Sequence, residues 1–271
     1  MNFKKSGIFS RKSELEERIS EDFESRNQVL AVWGSPGCGK TTTAVKLAKH
    51  LAGKKKNVVL LLCDMTAPML PCICPPGELE SEHSLGSVLA AARVSESLVK
   101  HNLITHKRYD CLTFLGMLRG ENEYTYPPYT ASQASELIQC LRNIAPYIII
   151  DCGSYIANDI LSAVALMESD AVLRLVNCDL KSVSYLASQL PLLRDNKWDA
   201  DKQYKVACNV KTNEASDHVE QVLGNVTFKL PNSLELASQS LAGNLLADLS
   251  LRDSKGFRKE VEAISREVFG C

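Results

Sequence analysis

The sequence predicts an α/β fold: a doubly wound, mainly parallel β-sheet with helices on both faces. Three observations carry this. Apolar runs alternate with helical patterns along all 271 residues, with no internal repeat and no linker long enough to divide a domain. The runs at 58–63 and 146–150 are apolar throughout rather than alternating, as in strands covered on both faces. A third run, 29–33, leads through Gly34-Ser35-Pro36-Gly37-Cys38-Gly39-Lys40-Thr41 into a helical pattern, which is the strand, glycine-rich loop and helix of a phosphate-binding loop.

Residues 1–27 form a polar, charged extension ahead of one domain at 28–271. Ser13 and Glu16 have capping-box spacing, and Leu15, Ile19 and Phe23 recur at every fourth position. That stripe marks an amphipathic helix that packs on the domain or binds a partner, and packing is favoured. After the strand at 29–33, the helix following Lys40 sets Val45, Leu47, Ala48 and Leu51 against polar Lys46, Lys49 and His50. Gly53 and Lys54-Lys55-Lys56 make a solvated turn before the strand at 58–63. Residues 66–82 are proline-rich and irregular, and 84–102 carry two short helical patterns. A strand at 109–116, a polar loop at 119–129 and a helix at 131–143 lead to the strand at 146–150. A helix at 155–168, a strand at 171–176, a helix at 180–194 and a strand at 203–210 follow. A short helix near 214–223, a strand at 226–230 and helices near 233–242 and 256–268 finish the chain.

Composition limits the classes. With 45% hydrophobic and 23% charged residues and a net charge of -1, the chain has no global field to draw it onto nucleic acid or anionic lipid. It has no run of the ~18 apolar residues a membrane-spanning helix needs and no apolar segment behind its early lysines. Cytoplasmic localisation is expected, and the ten cysteines then read as reduced thiols, with Cys63, Cys111, Cys152, Cys178 and Cys208 in or beside strands. Cys72-Ile73-Cys74, among Pro71, Pro75 and Pro76, lacks the second ligand pair of a structural zinc site and reads as a stiffened loop.

The loop matches G-x-x-x-x-G-K-[ST] at every specified position. Its glycines let backbone N–H groups converge on one anion, and the new helix points its positive end at the same place. The candidate nucleotide-binding residues are Gly34, Ser35, Pro36, Gly37, Cys38, Gly39, Lys40, Thr41 and Thr42. Lys40 is expected to reach the β- and γ-phosphates, and the Thr41 hydroxyl to coordinate Mg2+. Asp151, closing an isoleucine-rich run, fits the acid that holds this Mg2+, against the alternative of an N-cap for the following turn. Asp64 closes the neighbouring run. In such sheets ligands bind at the carboxyl ends of the strands, where Gly34, Asp64 and Asp151 all fall. These residues imply a nucleoside triphosphate site.

The G-K-T-T-T loop, the strand ending in Asp64 and the later strand ending in Asp151 resemble the MinD/ParA group of P-loop ATPases, with a looser match across about residues 28–270. The segment from Leu173 to Asp179 looks like that family's strand and helix cap, and Val206-Ala207-Cys208-Asn209 like its adenine-side strand. Lys229-Leu230-Pro231 with Leu245 is similar to its closing segment. The resemblance implies a P-loop ATPase domain at 28–271 that binds ATP or ADP with Mg2+. It places Lys40, Asp64 and Asp151 in catalysis and Thr41, Asp64 and Asp151 around the metal, with Asp64 near the attacking water. It sets Asn209 on the adenine and Pro231 beside the base; as a residue type alone, Asn209 equally reads as a strand-end turn.

The chain departs from the pattern. The family's extra lysine, five residues before the loop lysine, is Ser35 here, and Pro36 replaces a glycine. Leu62 replaces the first of two acids at the first switch, and the D-x-P-P segment is Asp151-Cys152-Gly153-Ser154. Gly153 still permits backbone approach to the γ-phosphate. These changes resemble the branch of TadZ/CpaE pilus-assembly localisation proteins. The implied function is a slow ATPase that positions or assembles a larger apparatus, with an ATP-dependent homodimer and protein partners. The alternative is a catalytically weak nucleotide-binding scaffold. A small-molecule kinase would need an arginine-bearing lid, and the loop at 119–129 holds only Arg119. The tail helix, with Val261, Ile264, Val268 and Phe269 on one face, is expected to pack on the core, membrane contact being weakly supported by its mixed charges. Arg174, Lys181, Arg194, Lys197, Lys202 and Lys205 are scattered among acids and read as solvated surface rather than a nucleic-acid stripe.

Overall fold

A computed structural model describes residues 28–79, 83–189, 191–192, 198–211, 220 and 224–271. The expected helix within 1–27, most of the one near 214–223, and Arg194 and Lys197 lie outside the described residues. The strands are β1 (Val29–Gly34), β2 (Val58–Leu62), β3 (Ile104–His106), β4 (Tyr109–Leu115), β5 (Tyr147–Asp151), β6 (Ala171–Asn177), β7 (Gln203–Val210) and β8 (Phe228–Pro231). They form one sheet in the order β3-β4-β2-β5-β1-β6-β7-β8, parallel throughout except for the edge pair β3 and β4.

β1 lies between β5 and β6, which explains its unbroken burial. Leu30 and Val32 pack on one face, while Val29, Ala31 and Trp33 pack on the other. Tyr147 and Ile149 of β5 divide from Ile148 and Ile150 in the same way. Period-two geometry therefore sends a continuous apolar run into two cores at once. The first core is closed by α1 (Lys40–Gly53), the short α2 (Leu70–Ile73), α8 (Leu234–Leu241) and α9 (Lys255–Phe269). The second is closed by α3 (Leu85–Leu89), α4 (Glu96–Asn102), α5 (Ala131–Ile144), α6 (Ile160–Glu168) and α7 (Leu180–Gln189).

α9 turns Val261, Ile264, Val268 and Phe269 into the first core beside Leu47 and Leu51 of α1, as its stripe predicts. Lys46 of α1 is also buried, and its amine donates to Gln239 Oε1 at 2.5 Å and Ala247 O at 2.8 Å. Burial first, and Lys49 second, push this amine down to about 8, partly offset by Glu235 and Asp248. Gln28 and Val29 enter the sheet with both backbone N–H groups on Asp170 Oδ2, and Arg142 clamps the same carboxylate at 2.7 Å.

Several boundaries differ from expectation. The helix expected from 155 begins at Ile160, because Asp159 is its N-cap and accepts from Ser162 N at 3.0 Å. The proline-rich stretch contains α2 and a 3-10 turn at Pro76–Glu78. β3, three residues long, was not expected as a strand. The strand at 226–230 is shifted to Phe228–Pro231. Arg174 is not solvated surface: it is 8% exposed within β6. Lys202 donates to Met167 O and Ser169 O rather than facing an anion. All ten cysteines are free, with Cys63, Cys152 and Cys208 buried and Cys111 and Cys178 half-buried. No described helix is long and apolar enough to cross a membrane.

Candidate functional site

The loop starts where β1 presses against β6. A Cβ on Gly34 would lie 1.9 Å from Leu175 O, so only glycine fits, and Ser35 N then donates to the same carbonyl at 3.1 Å. Gly37 and Gly39 adopt left-handed φ values of 73° and 86°, which turn the chain into α1. α1 has no side-chain cap and no acid in its first turn. Its leading N–H groups and dipole are left for an external anion.

Lys40 of this turn donates to Ser154 Oγ at 2.7 Å and approaches Ser35 O at 3.4 Å. Thr41 Oγ1 donates to Asp151 Oδ2 at 2.5 Å. Asp151 is 2% exposed, and its Oδ1 is buried without a hydrogen-bond partner. Burial pushes this carboxyl up to about 7 against the pull of the Thr41 hydrogen bond and the Lys40 charge, while Asp64 adds to the rise. Asp151 does not act as the N-cap that its residue type allowed: its carboxylate accepts from the Thr41 hydroxyl and from no backbone N–H, and the next helix, α6, is capped by Asp159. Asp64 has structural partners as well: its Oδ1 accepts from Thr66 N at 3.0 Å and Ala67 N at 2.8 Å.

A cavity of about 420 Å³ at the carboxyl ends of the strands gathers Gly37, Cys38, Gly39, Lys40, Thr41 and Thr42 with Asp64, Asp151, Asn209 and Pro231. Gly34, Ser35 and Pro36 are not in its lining; Ser35 is fully buried and Pro36 is exposed. Asn209 has a left-handed φ of 52° beside the bulge that shifts β7 against β8. Its amide donates to Asn177 Oδ1 at 2.6 Å, and Asn177 Nδ2 donates to Gly37 O at 3.3 Å. Asn177 was missed by sequence reasoning, although its position ending the apolar run of β6 was the available signal. The backbone N–H of Gly153 is engaged, donating to Ser162 Oγ at 2.8 Å, and the Ser162 hydroxyl donates to Asp159 Oδ2 at 2.5 Å.

The donor set fits a hard cation. Thr41 and two carboxylates supply oxygens only, and Asp151 Oδ1, buried without a hydrogen-bond partner, is an acceptor of the kind a cation satisfies. No group of three or more His, Cys, Asp or Glu side chains that could hold a metal gathers among the described residues. Mg2+ needs only one or two carboxylates when phosphates and water complete its shell.

Residues 29–205 match the sequence model of the AAA domain family. The chain belongs to the AAA domain family. Solved structures place this AAA-domain protein among folds of the MinD/ParA type. The ParA family ATPase from Chlorobium tepidum TLS superposes with a TM-score of 0.71 at 16% identity, covering 87% of this chain and 97% of that one. The septum site-determining protein MinD complexed with Mg-ADP from Pyrococcus horikoshii OT3 gives 0.67 at 14%, covering 89% and 96%. The MinC:MinD cell division protein complex of Aquifex aeolicus gives 0.69 at 17%, covering 88% and 95%. These superpositions establish the fold: a mostly parallel eight-stranded sheet of the MinD/ParA P-loop NTPase type. No curated protein matches the chain by sequence.

Proposed function

We propose that this AAA-domain protein binds ATP or ADP with Mg2+ and works in the cytoplasm as a MinD/ParA-type ATPase that positions or assembles a larger apparatus. The observation that carries the reading is the Thr41–Asp151 hydrogen bond of 2.5 Å, set at an uncapped helix start beside Lys40 in one cavity. Thr41 and Asp151, with Asp64 nearby, would hold Mg2+, which when bound offsets phosphate charge. Lys40 and the N–H groups of the 37–42 turn would bind the phosphates. Asn209 and Pro231, across the same cavity, suit the base. Residues 28–271 would form the ATPase domain, and nucleotide-dependent dimerisation would couple the site to protein partners. The solved MinD and ParA proteins of like fold support this coarse role, one of them bound to Mg-ADP and one in a complex with MinC. The finer assignment to a TadZ/CpaE-like pilus branch rests on Ser35, Leu62 and the Asp151–Ser154 segment.

Calorimetric titration with Mg·ADP tests the site: saturable binding that disappears in Lys40→Ala is expected, and a wild-type chain that binds nothing refutes it. Size-exclusion chromatography with ATP is expected to show a dimer. A second reading, a nucleotide-binding scaffold that scarcely turns over, is favoured by the uncharged, buried Ser35. Phosphate release separates the two, because a rate equal to that of Lys40→Ala leaves only the scaffold.

A further inference from the structure

Ser154 is joined to three parts of the site. Its hydroxyl accepts from Lys40 Nζ at 2.7 Å and donates to Gly34 O at 3.0 Å, while its carbonyl accepts from the Tyr185 hydroxyl. It therefore ties the lysine of the phosphate loop, the end of β1 and the helix α7 to one turn after β5. Tyr185 packs its ring 6.1 Å from that of Trp33, the residue immediately before Gly34. Lys40 Nζ has one further hydrogen-bond acceptor among the described residues, Ser35 O at 3.4 Å, long for such a bond, and it acts on Asp151 through charge alone, so Ser154 is its principal acceptor.

We propose that Ser154 is a latch: it holds Lys40 in the nucleotide-free site, competes with phosphate for the lysine, and signals the lysine's release to α7 through Tyr185. The inference rests on reading the 34–42 loop as a phosphate site. A neutral hydroxyl is a weaker acceptor for an ammonium than a phosphate oxygen, so Lys40 transfers to the phosphate, but the broken bond lowers the apparent affinity. Once Lys40 leaves, the Ser154 hydroxyl retains only Gly34 O, and the turn carrying the Tyr185 acceptor loses its charged anchor.

The latch makes a prediction of unusual sign. Ser154→Ala should bind Mg·ADP more tightly, by about three- to tenfold, because Lys40 no longer has a bond to surrender. Ser154→Thr, which keeps the hydroxyl, should retain wild-type affinity. The chain has two tryptophans, so Trp198→Phe leaves Trp33 as the reporter. In that background Mg·ADP should change Trp33 emission, and the change should shrink in both Ser154→Ala and Tyr185→Phe while binding persists. Unchanged or weaker binding by Ser154→Ala, with Lys40→Ala still abolishing it, would overturn the latch and leave the phosphate site intact. Absence of Mg·ADP binding by the wild-type chain would remove both.

Discussion

Replacing Asp151 by asparagine should stabilise the metal-free protein above pH 7 and remove its stabilisation by Mg·ADP. Burial lifts this carboxyl from an ordinary value near 3.8 to about 7. Each unit is worth about 1.4 kcal/mol, so ionising Asp151 in the folded chain costs at most about 4 kcal/mol. Asparagine keeps an acceptor for Thr41 Oγ1 but places an amide donor where Oδ1 has no partner. That donor costs about 1–3 kcal/mol, leaving a net gain of about 1–3 kcal/mol, or roughly 2–10 °C in melting temperature. The sign follows from proton binding. Between pH 4 and 7 the folded chain holds a proton here that the unfolded chain has released, so wild-type stability falls as pH rises through that window and is level above it. The variant lacks this component. Thermal melts by circular dichroism in EDTA at pH 5 and pH 8, repeated with Mg·ADP, read both effects. An Asp151→Asn chain that melts no higher than wild type at pH 8, with the same pH profile, would refute the reasoning.

Three further outcomes follow from other contacts. Gly34→Ala sets a Cβ against Leu175 O and should force β1 from β6, destabilising the chain by about 3 kcal/mol or more in urea unfolding. Lys46 titrates near 8 in the folded chain and 10.5 ordinarily, so wild type should gain up to about 3 kcal/mol between pH 8 and 10.5, a gain absent from Lys46→Met in denaturation curves across that range. Asn177→Ala breaks the bridge from Gly37 O to Asn209 and should weaken Mg·ADP binding about tenfold by calorimetry, with little change in melting temperature.

The continuous apolar runs at 58–63 and 146–150 announce doubly covered strands, and the glycine spacing announces the loop, because both are short-range patterns. Asp64 and Asp151 are legible as acids closing apolar runs, whereas Asn209 and Pro231 enter only through the family resemblance; the parallel sheet brings all four to one cavity. What was hidden depends on distant partners. β3 is a strand because β4 offers it an antiparallel edge, and three residues carry no period. Arg174 reads as surface in a list of cations, yet it lies within a central strand. Ser154 looks like loop filler until Lys40, 114 residues earlier, is found on its hydroxyl. Residue type alone leaves Asp151 open between cap and ligand, and the capping role is resolved only by its partner, the Thr41 hydroxyl 110 residues earlier.

The central place of β1 bears on the order of biosynthesis. Its two neighbours lie far along the chain: Val29 pairs with Ile148, and Gly34 with Leu175. The Thr41–Asp151 and Asn177–Gly37 contacts span 110 and 140 residues. During synthesis the glycine loop therefore emerges long before either strand that flanks it, and its companions must be held open until β6 has left the ribosome. A ligand of the glycine loop would therefore meet its full set of neighbours only once β6 is in place, and β1 is an apolar strand that waits for both of its partners.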